Sequence, residues 1–164
     1  MYPARQEAGR DETYVMHSRI LLADDHPVVL EGLRRILDRP EFEIVDMVRD
    51  GRALVAAAHK LKPDAIVADI SMPLLNGVEA AREIRRHDPN AKIIFLTMHL
   101  EKIYAVEAII AGGSGYVLKN AVGEELIAAI REVRNGRIYV TRSLAEPVMK
   151  ALHARRESSD GAGG

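Results

Sequence analysis

Ile20-Leu21-Leu22-Ala23 runs directly into Asp24-Asp25, and Ala65-Ile66-Val67-Ala68 runs directly into Asp69. Two further apolar runs end the same way. Ile93-Ile94-Phe95-Leu96 stops at Thr97, and Gly115-Tyr116-Val117-Leu118 stops at Lys119. The runs are short, rich in Ile, Val and Leu, and do not alternate with polar residues. That is the signature of strands buried on both faces of a parallel sheet. If they share one sheet, five polar residues meet at one edge: three carboxylates, a hydroxyl and an ammonium.

Helical patterns separate the runs. After Pro27, apolar residues at Val29, Leu33, Ile36 and Leu37 lie on one helical face. Arg52 to Leu61 reads as a second helix, stopped by Pro63. Asn76 and Glu79 open a third as a variant capping box, and Asp88-Pro89 ends it. Ile103, Val106 and Ile110 mark a fourth, closed by Gly112-Gly113. Leu126, Ile130 and Val133 mark a fifth, closed by Asn135-Gly136. Phe42-Glu43-Ile44-Val45 supplies the remaining strand. Five strand–helix units predict a doubly wound α/β domain: a five-stranded parallel sheet, right-handed crossovers and helices on both faces. Such sheets bind ligands beyond the carboxyl ends of their strands, where the five polar residues stand.

Composition bounds the rest. The chain has 164 residues, a formal charge of −1 and no cysteine. One domain with tails is expected, over residues 19–135, with no disulfide framework and no thiolate metal site. The near-neutral charge gives no sign of a nucleic-acid surface or a polybasic membrane patch. No apolar stretch is long enough to span a membrane. Residues 1–18 lack an apolar signal core and read as a polar, disordered extension in which Met16 is a second candidate start. Cytoplasmic residence is expected. After residue 135, Ser143-Leu144-Ala145-Glu146 reads as a capping box, with Pro147 in the first turn. Leu144, Val148 and Leu152 then share one face of an extra amphipathic helix, which needs a partner surface here or on another chain. Residues 155–164, RRESSDGAGG, read as a linker or frayed tail.

The strand-end residues form a chemical set. Adjacent carboxylates facing a third repel one another unless a cation is present. Mg2+ (or Mn2+) suits them, because it favours oxygen ligands and is held by few carboxylates. Asp69 is then the natural nucleophile, since a carboxylate can accept a phosphoryl group covalently. The six histidines show no metal-ligand spacing. His26 follows the acid pair and caps or lines the site; His99 lies two residues past Thr97, at its rim.

The segments ILLADDHPVVLEGL (20–33), IVADISMPLLNGVEA (66–80), IIFLTMH (93–99) and GGSGYVLK (112–119) resemble the receiver domain of two-component response regulators. The resemblance covers residues 19–135 and implies a flavodoxin-like strand order, 2-1-3-4-5. It implies that Asp69 takes a phosphoryl group from the phosphohistidine of a sensor histidine kinase, with slow self-dephosphorylation, so that the chain is a signalling phosphoacceptor and not a conventional enzyme. Asp24, Asp25, Asp69 and the backbone carbonyl of Ser71 would hold Mg2+. Thr97 and Lys119 would engage the phosphoryl group, and Tyr116 would be the switch aromatic, moving inward as Thr97 shifts. Ser71 and His99 would flank the attacking water and tune the lifetime of the phosphate. DDHPVVLEGL (24–33) and NGRIYVTRSLAEPVMKAL (135–152) are similar to the NarL/FixJ type. That type controls transcription through a DNA-binding module of roughly sixty further residues, which the tail is too short to form. A homodimer on phosphorylation is the expected output, through the fourth helix, fifth strand and fifth helix or through the first and fifth helices. A receiver acting alone as a phosphate sink or partner-binding regulator is the alternative. Asn120 follows Lys119 where many receivers have proline, so a cis bond there would cost about 2.5–4 kcal/mol.

Three other readings fit less well. A phosphatase of the haloacid dehalogenase type needs a second Asp two residues past its nucleophile, and Ser71 stands there. A flavin binder needs hydroxyls and glycines after the first strand, where Asp24-Asp25 would repel phosphate. A phosphorylation-independent interaction domain would have no use for the three acids with Thr97 and Lys119.

Overall fold

In a computed structural model, which describes residues 17–163, β1 (Ser18–Ala23), β2 (Phe42–Val48), β3 (Ala65–Asp69), β4 (Ile93–Thr97) and β5 (Gly115–Leu118) form a parallel sheet. Between them run α1 (Pro27–Ile36), α2 (Gly51–Leu61), α3 (Gly77–His87) and α4 (Lys102–Ile110). After β5 come a 3-10 turn (Lys119–Ala121) and α5 (Val122–Arg134). The expected count of five strands is one short. Tyr139–Val140 forms β6, parallel to β5 with Tyr116 opposite Val140, and the order is β2-β1-β3-β4-β5-β6. The short aromatic and β-branched run Ile138 to Thr141 after Asn135-Gly136 is the local signal for it. At two residues, β6 is too short for a periodicity reading.

The sheet divides its side chains between two cores by simple alternation. Ile20, Leu22, Val67, Ile94, Leu96 and Val117 face α1 and α5. Leu21, Ile66, Ile93, Phe95 and Tyr116 face the other side, which α2, α3, α4 and the last helix cover. Strand ends therefore point one way, and helix N-termini follow them at the same edge.

Local chemistry explains most boundaries. Asn76 Oδ1 accepts from Glu79 N at 2.9 Å, and Asp50 Oδ1 accepts from Ala53 N at 2.8 Å. Gly113 N closes α4 on Ala108 O at 3.0 Å, after Gly112 turns at φ 122°. Gly77 packs against the carbonyl of Asp69 so closely that a Cβ there would sit 2.5 Å from it. The β3 carboxylate and the start of α3 are thereby locked together.

α6 (Arg142–Gly163) departs from expectation in three ways. Ser143 is inside it and not its cap: Leu144 N donates to Thr141 O at 2.9 Å, one step earlier. Pro147 is consequently past the first turn, inside the helix. The stretch read as a tail continues as helix to Gly163, although side chains from His153 to Asp160 are exposed. The apolar face itself is as expected. Val148 is fully buried and Leu144 nearly so, beside Ala105, Val106, Ala108 and Ile109 of α4. The partner surface is this domain's own. β6 and α6 thus cover the flank of β5 at Gly115–Tyr116 and part of α4, surface that the first of the two expected dimer contacts would use.

Glu125, in the first turn of α5, ties this arm down. Its buried carboxylate accepts from Tyr139 Oη at 2.6 Å, Thr141 Oγ1 at 3.0 Å and Arg142 N at 3.1 Å. Burial, followed by the Glu125 bond and charge, pushes the Tyr139 phenol up to about 12.

Candidate functional site

The four strand ends bring the predicted polar residues to one edge. Asp24 is fully buried, Asp69 is 3% exposed and Thr97 1%. Asp25, next in sequence, is half-buried. Lys119 does not extend into water as a surface lysine would. Its Nζ lies 3.1 Å from Asp24 Oδ2 and 3.2 Å from Asp69 Oδ1, so one ammonium bridges two strands. The Lys119–Asn120 bond is trans, there being no cis peptide bond among the described residues.

The surroundings set the protonation of Asp69 and Lys119. Burial raises the Asp69 carboxyl above its ordinary range; the Ser71 amide, donating to Asp69 Oδ1 at 3.2 Å, opposes it, while the Asp24 charge adds to it. Burial opposes the Lys119 ammonium, but its bond to Asp24 and the charges of Asp69 and Asp24 outweigh that and hold it above the usual lysine range. Ser71 is exposed and meets Asp69 through its backbone N–H.

Thr97 is the junction to the far side of the sheet. Its Oγ1 accepts from His99 N at 2.9 Å and lies 3.4 Å from the Tyr116 hydroxyl. That hydroxyl also donates to His99 O at 3.2 Å. Tyr116 is fully buried and on an inner strand, so it is neither an edge residue nor wet. The His99 ring packs on the Tyr104 ring at a centroid distance of 4.7 Å, with Glu101 Oε1 3.9 Å from Nδ1.

The donor set fits a hard divalent cation. One ligand atom each from Asp24, Asp25, His26 and Asp69 falls within 4.8 Å of all the others. Asp25 Oδ1 is buried and accepts no hydrogen bond, the state expected of an oxygen that faces an ion, whereas Asp24 Oδ2 is held by the Lys119 ammonium. The Lys119 ammonium lies against Asp24 Oδ2 and the His26 ring against Asp25 Oδ1. His26 Nδ1 stands 3.0 Å from Asp25 Oδ1 and 3.2 Å from Asp24 Oδ1. Histidine spacing could not reveal this contact, because His26 meets carboxylates and not other histidines.

Comparison with known proteins agrees with this geometry. Residues 20–131 match the family described as the response regulator receiver domain. The transcriptional regulatory protein DegU of Brevibacillus brevis is 37% identical over 133 residues, which are 80% of this chain and 56% of DegU. A LuxR-family two-component response regulator from Aurantimonas sp. SI85-9A1 superposes with a TM-score of 0.78 at 36% identity, covering 83% of this chain and 98% of that structure. The response regulator RcsB in complex with DNA superposes with a TM-score of 0.74 at 29% identity, covering 82% of this chain and 69% of that one. This chain thus spans little more than half the length of DegU. The match begins in β1 and ends in α5, and on it the chain belongs to the response regulator receiver domain family.

Proposed function

We propose that Asp69 accepts a phosphoryl group from the phosphohistidine of a sensor histidine kinase, and that the domain passes the event to its surface. The observation that carries this reading is the Lys119 ammonium set between Asp24 and Asp69. An ammonium shared between two carboxylates can exchange its contact with Asp69 for a phosphoryl oxygen while keeping Asp24. In the transfer, an Asp69 carboxylate oxygen bonds to phosphorus as the phosphorus–nitrogen bond of the kinase histidine breaks. Burial keeps Asp69 more basic than a solvated aspartate, which favours the attack. Thr97 Oγ1 accepts from His99 N and Tyr116 Oη, so its own O–H is free to donate to the new group.

Asp24, Asp25, Asp69 and the Ser71 carbonyl would hold Mg2+ or Mn2+. Bound there, the ion offsets the charge gathered between the acids and the phosphoryl oxygens. With few protein ligands, it binds weakly until phosphate is present. Ser71 and His99 flank the phosphate and tune its lifetime. When Thr97 turns to the phosphoryl group, the Tyr116 hydroxyl keeps the His99 carbonyl as its remaining partner, and the ring resettles within the buried position it already holds.

The output is transcriptional, through a DNA-binding module outside this chain and through a homodimer formed on phosphorylation. The relatives named above as a transcriptional regulator and as a DNA complex support it. No helix among the described residues is long and apolar enough to cross a membrane, in keeping with cytoplasmic signalling. The disordered extension expected over residues 1–18 lies outside the described residues as far as residue 16, and Ser18 already opens β1. Incubation with acetyl phosphate and Mg2+, read by intact mass, tests the central step. One phosphoryl adduct is expected in the wild type and none in Asp69→Asn; an adduct that persists in that variant overturns the assignment.

A further inference from the structure

We propose that His26 is a nitrogen ligand of the acidic site, so that the site also takes a first-row transition cation and prefers it to Mg2+. The inference rests on the reading of Asp24, Asp25 and Asp69 as a cation site. It concerns which ion that site selects.

Two measurements place the imidazole in the set. Neighbouring ligands of an octahedral ion with bonds of about 2.1 Å stand about 3 Å apart. His26 Nδ1 keeps that spacing to both acids at once, 3.0 Å to Asp25 Oδ1 and 3.2 Å to Asp24 Oδ1, the latter a hydrogen bond whose proton the entering ion would displace. The Asp69 oxygen completes a group whose members all lie within 4.8 Å of one another, so closing onto one ion, with opposed ligands about 4.2 Å apart, draws them in by about half an ångström.

The backbone presents the ring for this use. His26 is the N-cap of α1, in extended conformation with Pro27 behind it, yet its side chain caps nothing. Its own N–H donates to Asp24 Oδ1 at 2.9 Å, which fixes the residue against the acid. Lys119 does not compete. It contacts Asp24 through Oδ2, and Asp69, whereas His26 takes Asp24 through Oδ1, and Asp25. The ring is 66% exposed at the side chain, so an entering ion meets it first.

Donor type then decides selectivity. Mg2+ gains little from a nitrogen ligand and keeps its waters. Co2+, Ni2+ and Zn2+ bind imidazole well, with affinity rising from Co2+ to Ni2+ and falling again at Zn2+ after its peak at Cu2+. Three carboxylates with one imidazole form a mixed set in which such an ion outcompetes Mg2+.

The test uses the full chain, stripped of metal and titrated calorimetrically with Co2+ alone and Mg2+ alone. The Co2+-loaded protein is also examined by proton NMR for the strongly shifted ring N–H of a coordinated histidine. In His26→Gln, Co2+ affinity is expected to fall at least about tenfold, a loss that even a supporting residue of a metal site produces when mutated. Mg2+ affinity should stay within about twofold, and one shifted N–H should vanish. Unchanged Co2+ affinity with every shifted signal retained makes His26 a hydrogen-bond partner only, and overturns the proposal. Asp24→Ala with Asp25→Ala separates the two failures. If both ions still bind as in the wild type, the cation site itself is misplaced; if both are lost while His26→Gln binds Co2+ normally, only the role of His26 fails.

Discussion

The backbone N–H of Thr141 donates to the carbonyl of Tyr116 at 2.8 Å. One end of Tyr116 therefore touches Thr97, and the main chain at its other end holds the residue before α6. A switch in Tyr116 has a direct mechanical outlet. Addition of beryllofluoride and Mg2+ is expected to change amide exchange across Tyr139–Val148 by at least several-fold. The change should be lost in Thr97→Ala. Unaltered exchange there would show that Tyr116 moves without the arm.

Removing the buried charge at Asp69 should stabilise the fold. With its pKa raised in the folded state, Asp69 binds its proton more readily folded than unfolded. Stability therefore falls as pH rises from the ordinary aspartate range through the raised value. Asp69→Asn should melt higher at pH 7, by about 2–4 °C for each kcal/mol relieved in a domain of this size. The gain should shrink as pH is lowered toward about 4. Equal melting temperatures at pH 7 would place Lys119 in full compensation of the charge.

Tyr139 offers a spectroscopic check on the Glu125 anchor. Its phenol is pushed up to about 12, so it stays neutral after exposed tyrosines have ionised. Because the folded value is the raised one, stability contributed by this group is complete below about pH 10 and is lost between there and about 12. Burial raises the Tyr116 phenol as well, so ultraviolet titration should show two late-ionising phenols, one of which is absent in Tyr139→Phe. Glu125→Ala should bring the same transition back toward ordinary values.

Two packing variants should separate the arm from the domain. Val148 is completely buried. Val148→Asp places an unpaired carboxylate there, at a cost of about 3–5 kcal/mol. Protection should collapse over residues 139–152 and persist in β1, β3 and β4. Gly51→Ala acts elsewhere: its Cβ would stand 1.8 Å from Leu75 O, a main-chain atom. It should cost about 3 kcal/mol or more and destabilise the whole fold. Chemical denaturation with exchange mass spectrometry reads both.

The strands and the acid edge were legible because both signals are local. Each buried run announces its strand, and each run ends in a polar residue that only a common sheet edge explains. Asn76, Gly112 and Gly136 marked helix ends through capping and left-handed geometry, at φ 122° and 81° for the two glycines. What escaped was non-local. β6 has two residues and exists because Gly115 and Tyr116 offer an open edge. Glu125 looks like any acidic first-turn residue until Tyr139, Thr141 and Arg142 fold back onto it. Ser143 matched a capping pattern, but Thr141 occupies the preceding turn and starts the helix earlier.

β6 also sets what must travel together when such a domain is grafted into a chimeric sensor. A cut at Asn135, after the last matched helix, would leave the Tyr116 carbonyl without its donor and open the β5 edge to pairing with another molecule. The transplantable cassette is the stretch that closes its own sheet, which here runs through Leu152.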